Sequence, residues 1–115
     1  MGYYTYFSLE ARGIDDGQAN NIVRWLENNG LYGFDGSFYR YRDGAYEFGC
    51  RDSMKWSSCE EDMKELSRAY PDAVFCLNGE GEDWDDKWRQ FFKDGESEYC
   101  PVQISYPEPV TIKWD

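Results

Sequence analysis

The densest group of chemically capable side chains is acidic. Glu80, Glu82, Asp83, Asp85 and Asp86 place five carboxylates in seven residues, a donor set that suits a hard cation such as calcium. The spacing argues against that use. An EF-hand loop needs Asp-x-Asp-x-Asp-Gly and a closing Glu at the twelfth position, and this stretch has neither, so it reads as a solvated, self-repelling loop. Paired carboxylates can also perform the acid–base chemistry of glycoside hydrolysis, but that needs a cleft holding one carboxyl at raised pKa. Any chain with 23 acidic residues offers such pairs. The complete lack of histidine removes the Cys–His and Ser–His–Asp nucleophile systems. Cys50, Cys59, Cys76 and Cys100 lie 9, 17 and 24 residues apart, with no CxxC pair and no histidine to complete a zinc set. Gly79-Glu80-Gly81 is no phosphate loop, and its carboxylate would repel an anion. The expectation is a binding protein rather than an enzyme, without metal or cofactor.

The second cluster is aromatic and basic: Tyr39, Arg40, Tyr41 and Arg42 in succession. Tyrosine and arginine stack on and neutralise single-stranded nucleic acid, and they are also the residues enriched at protein–protein hot spots. Two arginines release few counterions, and the RNP signature of RNA-recognition modules is missing. The bland reading is a solvated strand face whose arginines pair with Glu47 across a hairpin. The chain carries 12 Lys and Arg against 23 Asp and Glu, a net charge of -11. That sign disfavours direct contact with nucleic acid or with anionic membranes. It does not imply disorder, because 7 Phe, 10 Tyr and 5 Trp are ample for a core in one domain spanning 1–115. The sequence also predicts a cytoplasmic protein: no basic, apolar export signal opens the chain, no run reaches membrane-spanning length, and four scattered thiols fit a reducing compartment. An even cysteine count also suits a two-disulfide exported module.

Alternation predicts a first strand over 3–10, with Phe7 and Leu9 facing inward and Tyr4, Tyr6 and Ser8 outward. Asp15 and Gln18 form a capping-box start for a helix carrying Ala19, Ile22, Val23 and Leu26, ended by Asn28-Asn29-Gly30. Asp43-Gly44, flanked by two β-rich runs, predicts a hairpin with a type I′ turn. Ser57 and Glu60 predict a second capping box, opening a helix with Cys59, Met63, Leu66 and Tyr70 on its buried face and Pro71 at its end. A strand over 73–77 follows, then the acidic loop, then a hairpin of 88–93 and 99–106 around Asp94-Gly95. The order is α+β: a ferredoxin-like βαββαβ antiparallel sheet with two helices on one face and an additional C-terminal β-hairpin. The uncovered face, bearing tyrosines, is a docking surface unless the added hairpin folds over it.

The run Lys55-Trp56, Glu60 to Ser67, Tyr70-Pro71-Asp72, Phe75 to Glu82 and Asp86 to Gly95 resembles a family of small ferredoxin-like domains found in uncharacterised bacterial and phage proteins. The resemblance spans about residues 55–106 and implies the fold and a mobile-element origin. It brings no catalytic residues. Residues 1–56 hold 8 acids and 6 bases, and residues 57–115 hold 15 and 6, so the acidity belongs to the second half.

Glu60, Glu61, Asp62 and Glu65 on the second helix, with Glu80, Glu82, Asp83, Asp85 and Asp86, would imitate a phosphate lattice and steer toward a basic partner. Glu96 and Glu98 on the last hairpin would extend the field. Tyr39, Arg40, Tyr41 and Trp84 would anchor it. The expected function is therefore an anti-CRISPR-like inhibitor, a DNA mimic or channel blocker acting on a CRISPR effector or another defence nuclease. The alternative is a small regulatory module whose acidity serves solubility alone and whose sheet docks a partner or a second copy, giving a homodimer.

Overall fold

The computed structural model describes residues 4–82 and 86–103. Six strands and two helices follow in the order β1 (Tyr6–Arg12), α1 (Asp16–Asn28), β2 (Phe34–Arg40), β3 (Tyr46–Cys50), α2 (Cys59–Ala69), β4 (Val74–Glu80), β5 (Lys87–Lys93) and β6 (Glu96–Pro101). All strands join one open sheet in the order β2-β3-β1-β4-β5-β6, and every neighbouring pair is antiparallel. The α+β reading therefore holds. Each helix links two strands separated by one other: α1 carries the chain from β1 past β3 to β2, and α2 from β3 past β1 to β4.

Register explains the two faces. Leu9 pairs with Phe48 and Leu77, Ala11 with Tyr46 and Phe75, and Phe75 with Phe92. Cross-strand partners share a face, so these side chains point together. They form one core with Ala19, Ile22 and Leu26 of α1 and Met63 and Leu66 of α2. The opposite face carries Tyr6, Ser8 and Glu10 of β1, as the alternation predicts. Trp88 belongs to the inner side and lies across Gly79, where an added Cβ would meet its Cε2 at 2.2 Å. Gly79 is thus the space in which the indole sits.

The caps divide. Gln18 N–H donates to Asp15 at 2.8 Å and Asp15 N–H to Gln18 at 3.0 Å, closing the expected box. The second box does not form. Ser58, not Ser57, precedes α2 and makes no cap bond to the backbone; its hydroxyl donates instead to Asp62 at 2.8 Å. The two hairpins also differ. Asp94 and Gly95 both have positive φ, 48° and 84°, the requirement of a type I′ turn. In the first hairpin only Gly44 does, at φ 92°. Tyr41 N–H donates to the Ala45 carbonyl at 2.8 Å and Gly44 N–H to the Tyr41 carbonyl at 3.1 Å, a three-residue loop ending in a left-handed glycine. Asp43 instead turns its carboxylate to accept the Ala45 N–H at 3.1 Å, replacing the expected type I′ geometry.

The C-terminal hairpin extends the sheet rather than folding over it among the described residues. It is fastened at its turn to α2: Gly95 N–H donates to Ser67 Oγ at 2.8 Å, Ser67 donates to the Lys64 carbonyl at 2.8 Å, and Lys93 Nζ reaches the Pro71 carbonyl at 2.9 Å. β6 ends at Pro101; the sequence reading of a strand as far as Tyr106 runs beyond the described residues.

Candidate functional site

The acidic residues of α2 do not act alike. Glu60, Glu61 and Glu65 are exposed, Glu61 and Glu65 opposite Met63 and Leu66 and Glu60 on the flank, and Glu60 holds Lys64 at 3.2 Å in an i,i+4 pair. Asp62 turns inward. Its Oδ2 accepts the Trp56 indole N–H and the Ser58 hydroxyl, each at 2.8 Å. It fastens the chain entering the helix and adds negative charge where the helix dipole favours it.

The β4–β5 connection lies at the same end of the sheet as this helix start. Phe7 is the link. Its ring meets Trp56, three residues before α2, at 5.3 Å edge-on, and Trp88, at the beginning of β5, at 6.0 Å. Phe7 also pairs with Gly79, and Tyr6 with Glu80, the last residue of β4. The two acidic segments therefore flank one aromatic spine. Glu80 pairs with Lys87 at 3.4 Å, Glu82 is exposed, and Gly81 N–H donates to the Asp86 carbonyl at 2.7 Å, closing the base of the loop. Asp83, Trp84 and Asp85 lie outside the described residues.

Tyr39, Arg40 and Tyr41 sit elsewhere. β2 is the far edge strand, and Arg40 pairs with Tyr46 near the end of β1 remote from Tyr6. The structure does not bring this cluster to the acidic end. Tyr39 and Tyr41 make an exposed edge-on pair at 4.7 Å on the outward face. Tyr41 donates its hydroxyl to Glu47, and that carboxylate raises the phenol above its ordinary pKa. Arg40 faces Asp16 at 3.7 Å; the expected partner, Glu47, is taken by Tyr41. Glu96 and Glu98 lie on β6, toward the turn that meets the C-terminal half of α2, and so belong to a different end from Glu80.

No protein family, curated protein or solved structure matches the chain. Among the described residues no three acidic or cysteine side chains converge closely enough to hold a metal ion, and no helix there is long and apolar enough to cross a membrane. The four cysteines are free. Cys76 is buried, and desolvation pushes its thiol up to about 11; Cys59 and Cys50 are also raised, chiefly by desolvation. A raised pKa suppresses the nucleophilic thiolate.

The open sheet face holds a feature that sequence reasoning missed. A concavity of about 610 Å³ is lined on this face by Tyr6, Ser8, Asn78, Lys87, Arg89 and Val102 among others. Arg89 Nε donates to Asn78 Oδ1 at 2.8 Å. The two residues are directly opposed on β4 and β5, eleven positions apart in the chain, and alternation within either strand alone does not reveal the contact.

Proposed function

We propose that this chain is a non-enzymatic, acidic binding protein that presents the α2 start and the β4–β5 connection to a basic protein surface. The observation that carries the reading is that the α2 start, with Glu60 and Glu61, and the β4–β5 connection, with Glu80 and Glu82, lie at the same end of the sheet, their backbones linked through the Trp56–Phe7–Trp88 spine. The aromatic spine fixes the two backbone segments that carry those carboxylates, which limits the ordering cost on binding. Basic channels that read nucleic-acid backbones are the complementary partner class. Together with the phage-type resemblance, this favours a mobile-element inhibitor of a host nucleic-acid-handling complex, with CRISPR effectors as the first class to test. The accompanying fold reading is ferredoxin-like: the β2-β3-β1-β4 order and two helices that each skip one strand support it, with β5–β6 as an appended hairpin.

Titration of purified, guide-loaded CRISPR effectors with the protein at increasing salt tests this reading. Channel mimicry requires affinity that falls steeply with ionic strength and competition with target DNA. A second reading, a docking module, is favoured by the uncovered sheet face with its exposed Tyr6, Tyr39 and Phe91; affinity independent of salt would select it over the first.

A further inference from the structure

Arg89 lies on β5, next to the edge strand of the uncovered face, and strand register arranges its surroundings in rows. Ser8, Asn78, Arg89 and Cys100 are successive cross-strand partners; Tyr6, Glu80 and Lys87 form the adjacent row on one side, and Glu10, Cys76, Phe91 and Glu98 the row on the other. Val102 closes the first of these flanking rows, its N–H donating to the Lys87 carbonyl at 3.0 Å. Lys87 is balanced by Glu80 at 3.4 Å. Arg89 is not balanced. Its Nε is fixed by Asn78, and among the described residues neither Nη1 nor Nη2 has a hydrogen-bond acceptor or an ion-pair partner.

We propose that the concavity around Arg89 binds a small organic oxyanion, a carboxylate or phosphate monoester on an aromatic or apolar body. A guanidinium held through Nε keeps its planar fork oriented, and its two terminal nitrogens match an oxyanion in bidentate fashion. The row containing Arg89 is otherwise neutral. A volume of about 610 Å³ is in the range of small-ligand sites, and the half-exposed ring of Tyr6 with Val102 offers the body an apolar wall. The net charge of the chain does not forbid an anion here, because charges more than about 8 Å away are screened at physiological salt. Apart from Glu80, Glu98 on the adjacent strand β6 stands one row off on the diagonal, about 7–8 Å away, and offsets the attraction only in part; Glu10 lies two strands away, on β1.

This site adjoins the proposed partner surface and shares Glu80 with it, but its test does not involve that partner. The probes are benzoate, adenosine monophosphate and inorganic phosphate, with benzamide and adenosine as neutral counterparts, followed through the Arg89 Nε–Hε NMR signal and the backbone amides. Benzoate or adenosine monophosphate produces a saturable shift at Arg89 and Asn78. The matching neutral compound binds at least about ten-fold more weakly, the loss of one hydrogen bond to a charged group. Arg89→Gln abolishes the response, Arg42→Gln at the far hairpin preserves it, and Ser8→Trp abolishes it by filling the concavity while retaining the arginine. Saturation by benzoate alone assigns a carboxylate ligand, and by adenosine monophosphate alone a phosphate ester. Inorganic phosphate binding as tightly as adenosine monophosphate overturns the organic body. Linear shifts with every probe, or unchanged binding in a folded Arg89→Gln variant, overturn the site.

Discussion

Replacing Asp62 by alanine separates structural acid from surface acid on α2. Its carboxylate accepts two hydrogen bonds of 2.8 Å, and one donor is the indole of Trp56, only 7 % exposed. Removing the acceptor leaves that N–H without a partner beside the core, at a cost of about 1–3 kcal/mol. A further loss of about 0.3–1 kcal/mol comes from the favourable charge near the helix N-terminus. Water can replace the bond from the exposed Ser58 hydroxyl, so its contribution is small. The sum is about 1.3–4 kcal/mol, or roughly 5–16 °C in Tm at about 4 °C per kcal/mol for a domain of this size. Urea unfolding followed by tryptophan fluorescence measures it, with Glu61→Ala as the exposed control, which loses only the first-turn charge and stays within about 1 kcal/mol of the wild type. Asp62→Asn keeps an oxygen for the indole and recovers most of the loss. An Asp62→Ala midpoint no lower than that of Glu61→Ala would refute the assignment and return Asp62 to the binding surface.

The two hairpin glycines should respond unequally to alanine. At Gly44 the added Cβ meets nothing within 4 Å and only the positive φ is strained, whereas at Gly95 it also meets Arg68 Nε at 2.7 Å; thermal unfolding should therefore rank Gly95→Ala below Gly44→Ala, which costs about 1 kcal/mol. Cys76 should resist alkylation at neutral pH far longer than exposed Cys50 under native conditions, as read by mass spectrometry of modified peptides. The raised thiol has a linked effect on folding: the native state holds the proton more tightly than the unfolded chain, so stability contributed by Cys76 is complete below pH 9 and declines as pH rises toward about 11. Cys76→Ser should flatten that alkaline decline in urea unfolding curves. Asp43 has the opposite sign, being lowered by the Ala45 N–H and then by Arg12, so its contribution is present above the ordinary carboxylate range and lost at more acidic pH; Asp43→Asn should reduce the acid sensitivity of unfolding.

Local signals proved legible where both halves of an interaction lie within a few residues. Asp15 and Gln18 satisfy each other at the start of α1, and the odd-numbered residues of β1 face the core because alternation has no competing demand there. Ser57 and Glu60 show the limit of the same reasoning: the motif was present, but Trp56 entered the core and drew Asp62 back toward it, leaving Ser58 at the helix start. Asp43-Gly44 likewise had the composition of a type I′ turn, yet the Asp43 carboxylate found a backbone donor and a three-residue loop resulted. The acidic end was only half legible. Charge counting located the acids in the second half, but the proximity of α2 to the β4–β5 connection depends on Phe7, from the other end of the chain. The Asn78–Arg89 contact, set by the register of strands on either side of a loop, left no local pattern at all.

Reversal of Glu60, Glu61 and Glu65 to lysine in one variant tests the proposed partner surface most directly, because these carboxylates are exposed and leave the Asp62 anchor intact. Its affinity for a guide-loaded effector that binds the wild type should be measured calorimetrically at low and physiological salt. Juxtaposed like charges should weaken binding by on the order of 100-fold at low salt and remove most of its salt dependence, while Tm falls by several degrees through the reversed first-turn charges and the lost Glu60–Lys64 pair and the protein stays folded. Wild-type affinity in the folded, charge-reversed protein would contradict the account.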